Sequence, residues 1–173
     1  MRSILLLITF LPAVSAEAGE FKCQTTLPPS INGPFFAGDG DTIYSPASAR
    51  GIRLWGIQAP ELRDSQHAET EAGMRSRAYL HDLLAAADNI GVCSPLKFDR
   101  YCRVVAICKA GGTDLGMAMI DAGVAYTYYL AEVPPQQMEL ASSYSRAEQR
   151  ARKKQKGLWP VWLAERQMAV QGR

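Results

Sequence analysis

Short β-prone runs stand on either side of one amphipathic helix, and that order limits the fold of this chain more than any other feature. Thr42-Ile43-Tyr44 is rich in β-branched and aromatic residues. Ile52-Arg53-Leu54-Trp55-Gly56-Ile57 is mostly apolar and stops before Pro60, so both runs predict strands. From Glu69 to Ala87 the composition turns to Ala, Leu, Glu and Arg, and Met74, Ala78, Leu80, Leu83 and Leu84 recur at helical spacing. A strand is expected to begin over Asn89 to Cys93, a turn over Ser94 to Asp99, and a second strand over Arg103 to Cys108. Thr113 can cap a short helix through Met117, Met119 and Ile120, ended by Gly123. Val124 to Leu130 reads as extended, and Pro134-Pro135 opens a long last helix from Gln136 to Lys156. A small antiparallel barrel with helices packed on it satisfies this order. At 173 residues and 47% hydrophobic, the chain suits one domain with one core, and no repeat or linker interrupts it.

The two ends read differently from the middle. Arg2, the apolar run Ile4 to Phe10 and the small residues of Val14-Ser15-Ala16 form a signal-peptide pattern, so residues 1–16 are expected to be removed. The apolar run is too short to remain as a membrane span. Residues 17–34 read as an N-terminal arm or first strand, 35–160 as the folded domain, and 161–173 as a short tail. The expected product is an exported monomer, periplasmic or secreted, without membrane contact. Cys23, Cys93, Cys102 and Cys108 make an even set, which in an oxidising compartment points to disulfides. Their spacing fits no common zinc pattern, and His67 and His81 are the only histidines. Basic residues number 19 against 17 acidic, a balance that neither demands nor excludes nucleic acid. Arg146, Arg150, Arg152, Lys153, Lys154 and Lys156 crowd together, either as a phosphate-attracting patch or as a solvated helix face.

Three polar groups interrupt this apolar frame. Asp39-Gly40-Asp41-Thr42 sets two carboxylates around a glycine, which suits either a turn or a hard cation. Arg53 lies inside an apolar strand, where a charge needs a partner or a ligand, and Glu61 follows Pro60 at the strand's end. Asp99-Arg100-Tyr101-Cys102-Arg103 is a polar turn feeding an apolar strand. Taken in order, and with Gly112-Thr113-Asp114-Leu115, Gly123-Val124-Ala125, Ala151-Arg152 and Gly157-Leu158-Trp159, the chain closely resembles the staphylococcal-nuclease family from Ala37 to Trp159.

The resemblance implies a five-stranded oligonucleotide-binding barrel with three helices, of α+β class and mainly β. It implies cleavage of DNA and RNA phosphodiesters, usually with calcium. Arg53 and Arg103 then correspond to the phosphate-binding arginines and Glu61 to the carboxylate that orients or deprotonates water. Asp41 corresponds to a calcium ligand, Ala59 offers its backbone carbonyl, and Asp39 and Thr42 support the site. Tyr129, with Tyr128, corresponds to tyrosines lining the nucleotide pocket, where aromatic rings stack on bases without reading sequence.

Two positions depart from the family pattern. Gln58 stands where the family usually has a calcium-binding Asp, so weaker calcium binding is expected through its neutral carbonyl. Cys102 replaces the Gly that usually precedes the second arginine. Cys93 and Cys108 fall on the strands flanking that turn, so Cys93–Cys108 is the favoured disulfide and Cys23–Cys102 the remainder. The leading expectation is an active nuclease with little sequence specificity. The alternative is the same barrel binding nucleic acid without cutting it, which Gln58 favours and the Arg53, Glu61, Arg103 trio opposes.

Overall fold

The structure, a computed structural model, describes residues 23, 25–48, 50–130 and 134–171; the expected signal peptide (1–16) and residues 17–22 of the expected arm lie outside them. The elements are β1 (Ile31–Asn32), β2 (Phe36–Ala37), β3 (Thr42–Tyr44), β4 (Ile52–Leu54), β5 (Ile57–Gln58), α1 (Glu71–Ala85), β6 (Gly91–Phe98), β7 (Val104–Ala110), β8 (Thr113–Asp114), α2 (Leu115–Asp121), β9 (Tyr126–Thr127), α3 (Met138–Lys153) and α4 (Trp159–Gln171). A 3-10 turn, Pro135–Gln137, leads into α3.

One mostly antiparallel sheet runs in the order β1-β6-β7-β4-β3-β2, with β8 also on β7, while β5 and β9 form a separate pair. Among the described residues, only β4 and β7 run parallel within it. The sheet curls into a half-barrel over a core that includes Phe35, Ile43, Ile52, Leu80, Leu84, Met119 and Tyr144. Burying each such side chain contributes about 1.5–3 kcal/mol before the entropy of ordering it is subtracted. The Tyr144 hydroxyl donates to Asp114 Oδ1 at 2.6 Å, so a polar tip at the core's edge is satisfied. Cys93 and Cys108 face each other across β6 and β7 and are joined by a disulfide.

Helix α1 begins where Thr70 accepts the Gly73 N–H at 3.0 Å. Helix α2 is capped one residue later than expected. Asp114, the residue just before the helix, accepts the Met117 N–H, and Thr113 precedes it in β8 opposite Ala110.

Three further boundaries differ from the sequence reading. The run Ile52 to Ile57 is two strands, because Gly56 turns the backbone at φ 74°. The turn expected at Ser94 is instead the middle of β6, where Pro95 lies opposite Ala106 and the register shifts before Lys97. Proline lacks an N–H, and a bulge beyond the short reach of β1 accommodates it. The expected tail is helix α4, seated by Trp162, which meets Trp159 at 5.0 Å and Tyr126 at 5.6 Å between ring centres. The three helices anticipated are α1, α2 and α3, and α4 is a fourth.

Candidate active site

Strand alternation gathers the candidate residues on one face. Thr42 in β3 lies opposite Arg53 in β4, and Arg53 lies opposite Val105 in β7. Arg103 comes two residues before Val105, so its side chain starts on the same side. The result is a single hydrogen-bonded chain across the sheet. Arg103 Nη1 donates to Thr42 Oγ1 at 3.5 Å, and Thr42 Oγ1 donates to Asp41 Oδ1 at 3.3 Å. Asp41 Oδ1 also pairs with Arg53 Nη1. Arg53 Nη2 donates to Gln58 Oε1 at 2.8 Å, and Gln58 Nε2 donates to Glu61 Oε1 at 3.3 Å. Arg53, Glu61, Arg103, Asp41, Thr42 and Gln58 therefore meet in one network.

Arg53 is the buried centre of that network, with 11% of its side chain exposed. Nη1 also donates to the Asp41 carbonyl at 3.2 Å, and Nη2 to the Ile57 carbonyl at 2.9 Å. Both terminal nitrogens are thus fully engaged, and the Nε–H is the donor left without a protein partner among the described residues. The bend at Gly56 brings Ile57 and Gln58 back over Arg53; a Cβ there would press on Leu130 at 3.1 Å and Tyr144 at 3.3 Å. Gly40 is required for closeness, since a Cβ would meet that of Ala59 at 2.5 Å. Asp41 is 6% exposed, and its Oδ2 accepts the Ala59 N–H at 2.8 Å. Burial pushes its carboxyl up to about 6, with the Asp39 charge adding and the Arg53 guanidinium and Ala59 N–H opposing.

Arg103 is held differently. Asp99 Oδ2 accepts its Nε–H at 2.7 Å, and Asp99 Oδ1 accepts the backbone N–H groups of Tyr101 and Arg103, both at 2.9 Å. Burial works against the Asp99 charge, but these bonds from Arg103 and Tyr101 outweigh it and hold the carboxyl below the usual carboxylate range. Cys102 sits at φ 62°, a left-handed conformation that glycine adopts at little cost, and its disulfide to Cys23 holds it there. Arg103 Nη2 and one N–H of Nη1 have no protein partner among the described residues.

Aromatic side chains surround the network. Tyr128 and Tyr129, the expected pocket tyrosines, are exposed and meet edge to face at 4.4 Å, while the Tyr128 N–H bonds the Gly56 carbonyl at 2.9 Å. Tyr101 was not foreseen as a site residue, and Tyr126 belongs to the same aromatic run as Tyr128 and Tyr129. Tyr101 is 54% exposed, with the Arg103 guanidinium 5.5 Å and that of Arg100 4.7 Å from its ring centre. Tyr126 lies opposite Gln58 in the β5–β9 pair, and burial, with the nearby Asp41 charge, raises its hydroxyl above the ordinary tyrosine value. Tyr101 belongs to the same turn motif as Arg103, a signal that could have found it; Tyr126 depends on a pairing that only the fold creates. The basic run on α3 does not join the network. Arg150 and Lys156 bond Asp121, and Arg152 lies over Trp159.

The residues expected to hold calcium do converge, but on one another. Calcium takes about six to eight oxygens at roughly 2.3–2.6 Å. Here both Asp41 oxygens, Gln58 Oε1 and the Ala59 carbonyl each accept a protein hydrogen bond, and Asp39 Oδ1 accepts the Asp41 N–H. Among the described residues, no three His, Cys, Asp or Glu side chains form a group that could hold a metal ion. So arranged, the donor set fits calcium poorly.

A network that joins two guanidiniums to an exposed carboxylate can bind an anionic ester and present a base beside it. Residues 51–161 match the family model described as staphylococcal nuclease homologue. Comparison with curated proteins gives no match.

Proposed function

The chain belongs to the staphylococcal nuclease family, and from that premise we propose that it hydrolyses phosphodiester bonds of DNA or RNA with little sequence specificity. The observation that supports this most is the continuous link from Arg103 through Thr42, Asp41, Arg53 and Gln58 to Glu61.

A phosphodiester repels nucleophiles with its own charge, and that charge grows as phosphorus becomes five-coordinate. The unpartnered N–H groups of Arg103 meet the phosphate oxygens, and guanidinium stays charged at any working pH. Arg53 adds a fixed positive charge and one Nε–H from a site where water is largely excluded, which strengthens its field. Glu61, held by Gln58, orients the attacking water and accepts its proton. The new P–O bond forms as the old one breaks, and the leaving oxygen takes a proton from solvent. Tyr128 and Tyr129 supply ring faces for bases next to the scissile phosphate.

The family is typically calcium-dependent, and calcium in such a site supplies extra positive charge and a template. In this chain the oxygens that would hold calcium already accept protein hydrogen bonds. The two disulfides fit an oxidising compartment, and no helix among the described residues is long and apolar enough to cross a membrane. Export of a monomer to periplasm or medium is our reading of those facts with the leader pattern.

One observation favours the alternative of binding without cleavage: four of the Arg53 donors are already taken. Cleavage and binding of labelled single-stranded DNA by wild type and Arg103→Ala separate the two. The nuclease reading expects wild-type cleavage and its loss in the variant. No cleavage by wild type, with binding that survives Arg103→Ala, would favour the binding module.

A further inference from the structure

We propose that the Gln58 carboxamide takes the organising role that a divalent cation has elsewhere in this family, so that the site is assembled without calcium. The inference rests on the site being one that acts on phosphate, and it concerns how that site is held together.

The orientation of the amide is decided by its neighbours. Arg53 carries only donors, so the group 2.8 Å from its Nη2 must be the amide oxygen. Turning the amide over would set N–H against N–H beside the buried Arg53 guanidinium, a costly arrangement. The amide nitrogen must therefore point the other way, where the Ala59 carbonyl lies at 3.0 Å and Glu61 Oε1 at 3.3 Å. One planar group thus accepts from a cation on one side and donates to a carbonyl and a carboxylate on the other.

A carboxylate at this position could still accept from Arg53. Its second oxygen, however, would face the Ala59 carbonyl and Glu61, and all three groups would be acceptors. A donor from outside the chain, such as a cation, would be needed to bridge them. With Gln58 the bridge is built into the chain, and the neighbouring Asp41 is already balanced by Arg53. Gln58 is thus a positioning residue. It holds Glu61 for its water and keeps Arg53 in place, without itself touching substrate.

Calorimetric titration of the oxidised protein with calcium chloride, and melting curves in calcium and in chelator, test this directly. Wild type should show no saturable calcium heat and no change of Tm. Gln58→Asp should gain a saturable site and a Tm that rises with calcium concentration. In cleavage assays the wild-type rate should be the same in chelator and in calcium, while that of Gln58→Asp should fall more than about tenfold on chelation. Saturable binding by wild type as tight as by the variant would overturn the proposal. So would wild-type cleavage that chelator abolishes and calcium restores. A protein that cleaves neither DNA nor RNA in any condition would refute the nuclease reading instead. Calorimetry would then decide the proposal alone, saturable wild-type binding overturning it and none supporting it.

Discussion

Arg53 and Arg103 face the same side of the sheet but are held by different kinds of structure. Arg53 lies on a strand with both terminal nitrogens bonded to Asp41, Ile57 and Gln58, and 11% of its side chain reaches solvent. Arg103 stands at the end of a turn, 29% exposed, hung from Asp99 and Thr42 with donors that have no protein partner among the described residues. The first is part of the fold and sets the charge of the site. The second is free to meet a ligand. Matching residue types in one site can thus divide support and contact between them.

That division predicts opposite outcomes for the same substitution. Arg53→Ala leaves Asp41 buried without its cation, so unfolding free energy should fall by about 3–5 kcal/mol, as read from urea denaturation. A loss no larger than that of Arg103→Ala would break the distinction. Arg103→Ala should leave stability within about 1 kcal/mol, since its ion pair is partly exposed. Its cleavage rate should drop by roughly 10²-fold or more, the usual effect of losing one preorganised donor.

Acidity should sharpen the contrast, because the two supporting carboxylates shift in opposite directions. Asp41 is raised to about 6 from an ordinary value near 3.8. The folded protein then holds this proton more tightly than the unfolded chain. Its contribution to stability is greatest below the ordinary value and is lost as pH rises through about 6. Asp99 is lowered, so its contribution is present above the ordinary carboxylate range and is lost as pH falls below it. Carboxyl carbon NMR titration should show Asp41 changing near pH 6 while Asp99 remains ionised. An Asp41 midpoint below that of Asp99 would contradict the account.

The smallest expected effect lies at Cys102. Cys23→Ser with Cys102→Gly removes the disulfide but restores the residue best suited to φ 62°. The Arg103 turn keeps its three bonds to Asp99, so cleavage should change by less than about threefold, short of one hydrogen bond's net contribution. A loss as large as that of Arg103→Ala would show that the disulfide, not Asp99, sets the arginine.

The same contrast explains what was legible in the sequence. The Arg103 turn is local: Asp99 and Arg103 are four residues apart, and the motif displays both the arginine and its support. The barrel order and helices α1 to α3 were legible for a similar reason, since periodicity and turn residues are written in adjacent positions. The Arg53 pocket depends on Asp41 twelve residues back and on the bend at Gly56, so the sequence does not show that the Gln58 oxygen lies against Arg53. Pro95 suggested a turn because the sequence does not show which partner strand would leave room for a bulge. Helix α4 was hidden because part of what seats Trp162 is Tyr126, a ring from the distant strand β9, which the sequence around the helix does not display.

The central claim is that this network cuts phosphodiesters with Glu61 as its base. Its most direct test is the cleavage rate of fluorescent single-stranded DNA by the oxidised mature protein, wild type beside Glu61→Ala, in calcium and in chelator. The account predicts cleavage by wild type in both conditions and none by the variant in either. A wild type that is inert in both, or a variant that cleaves as fast, would contradict it.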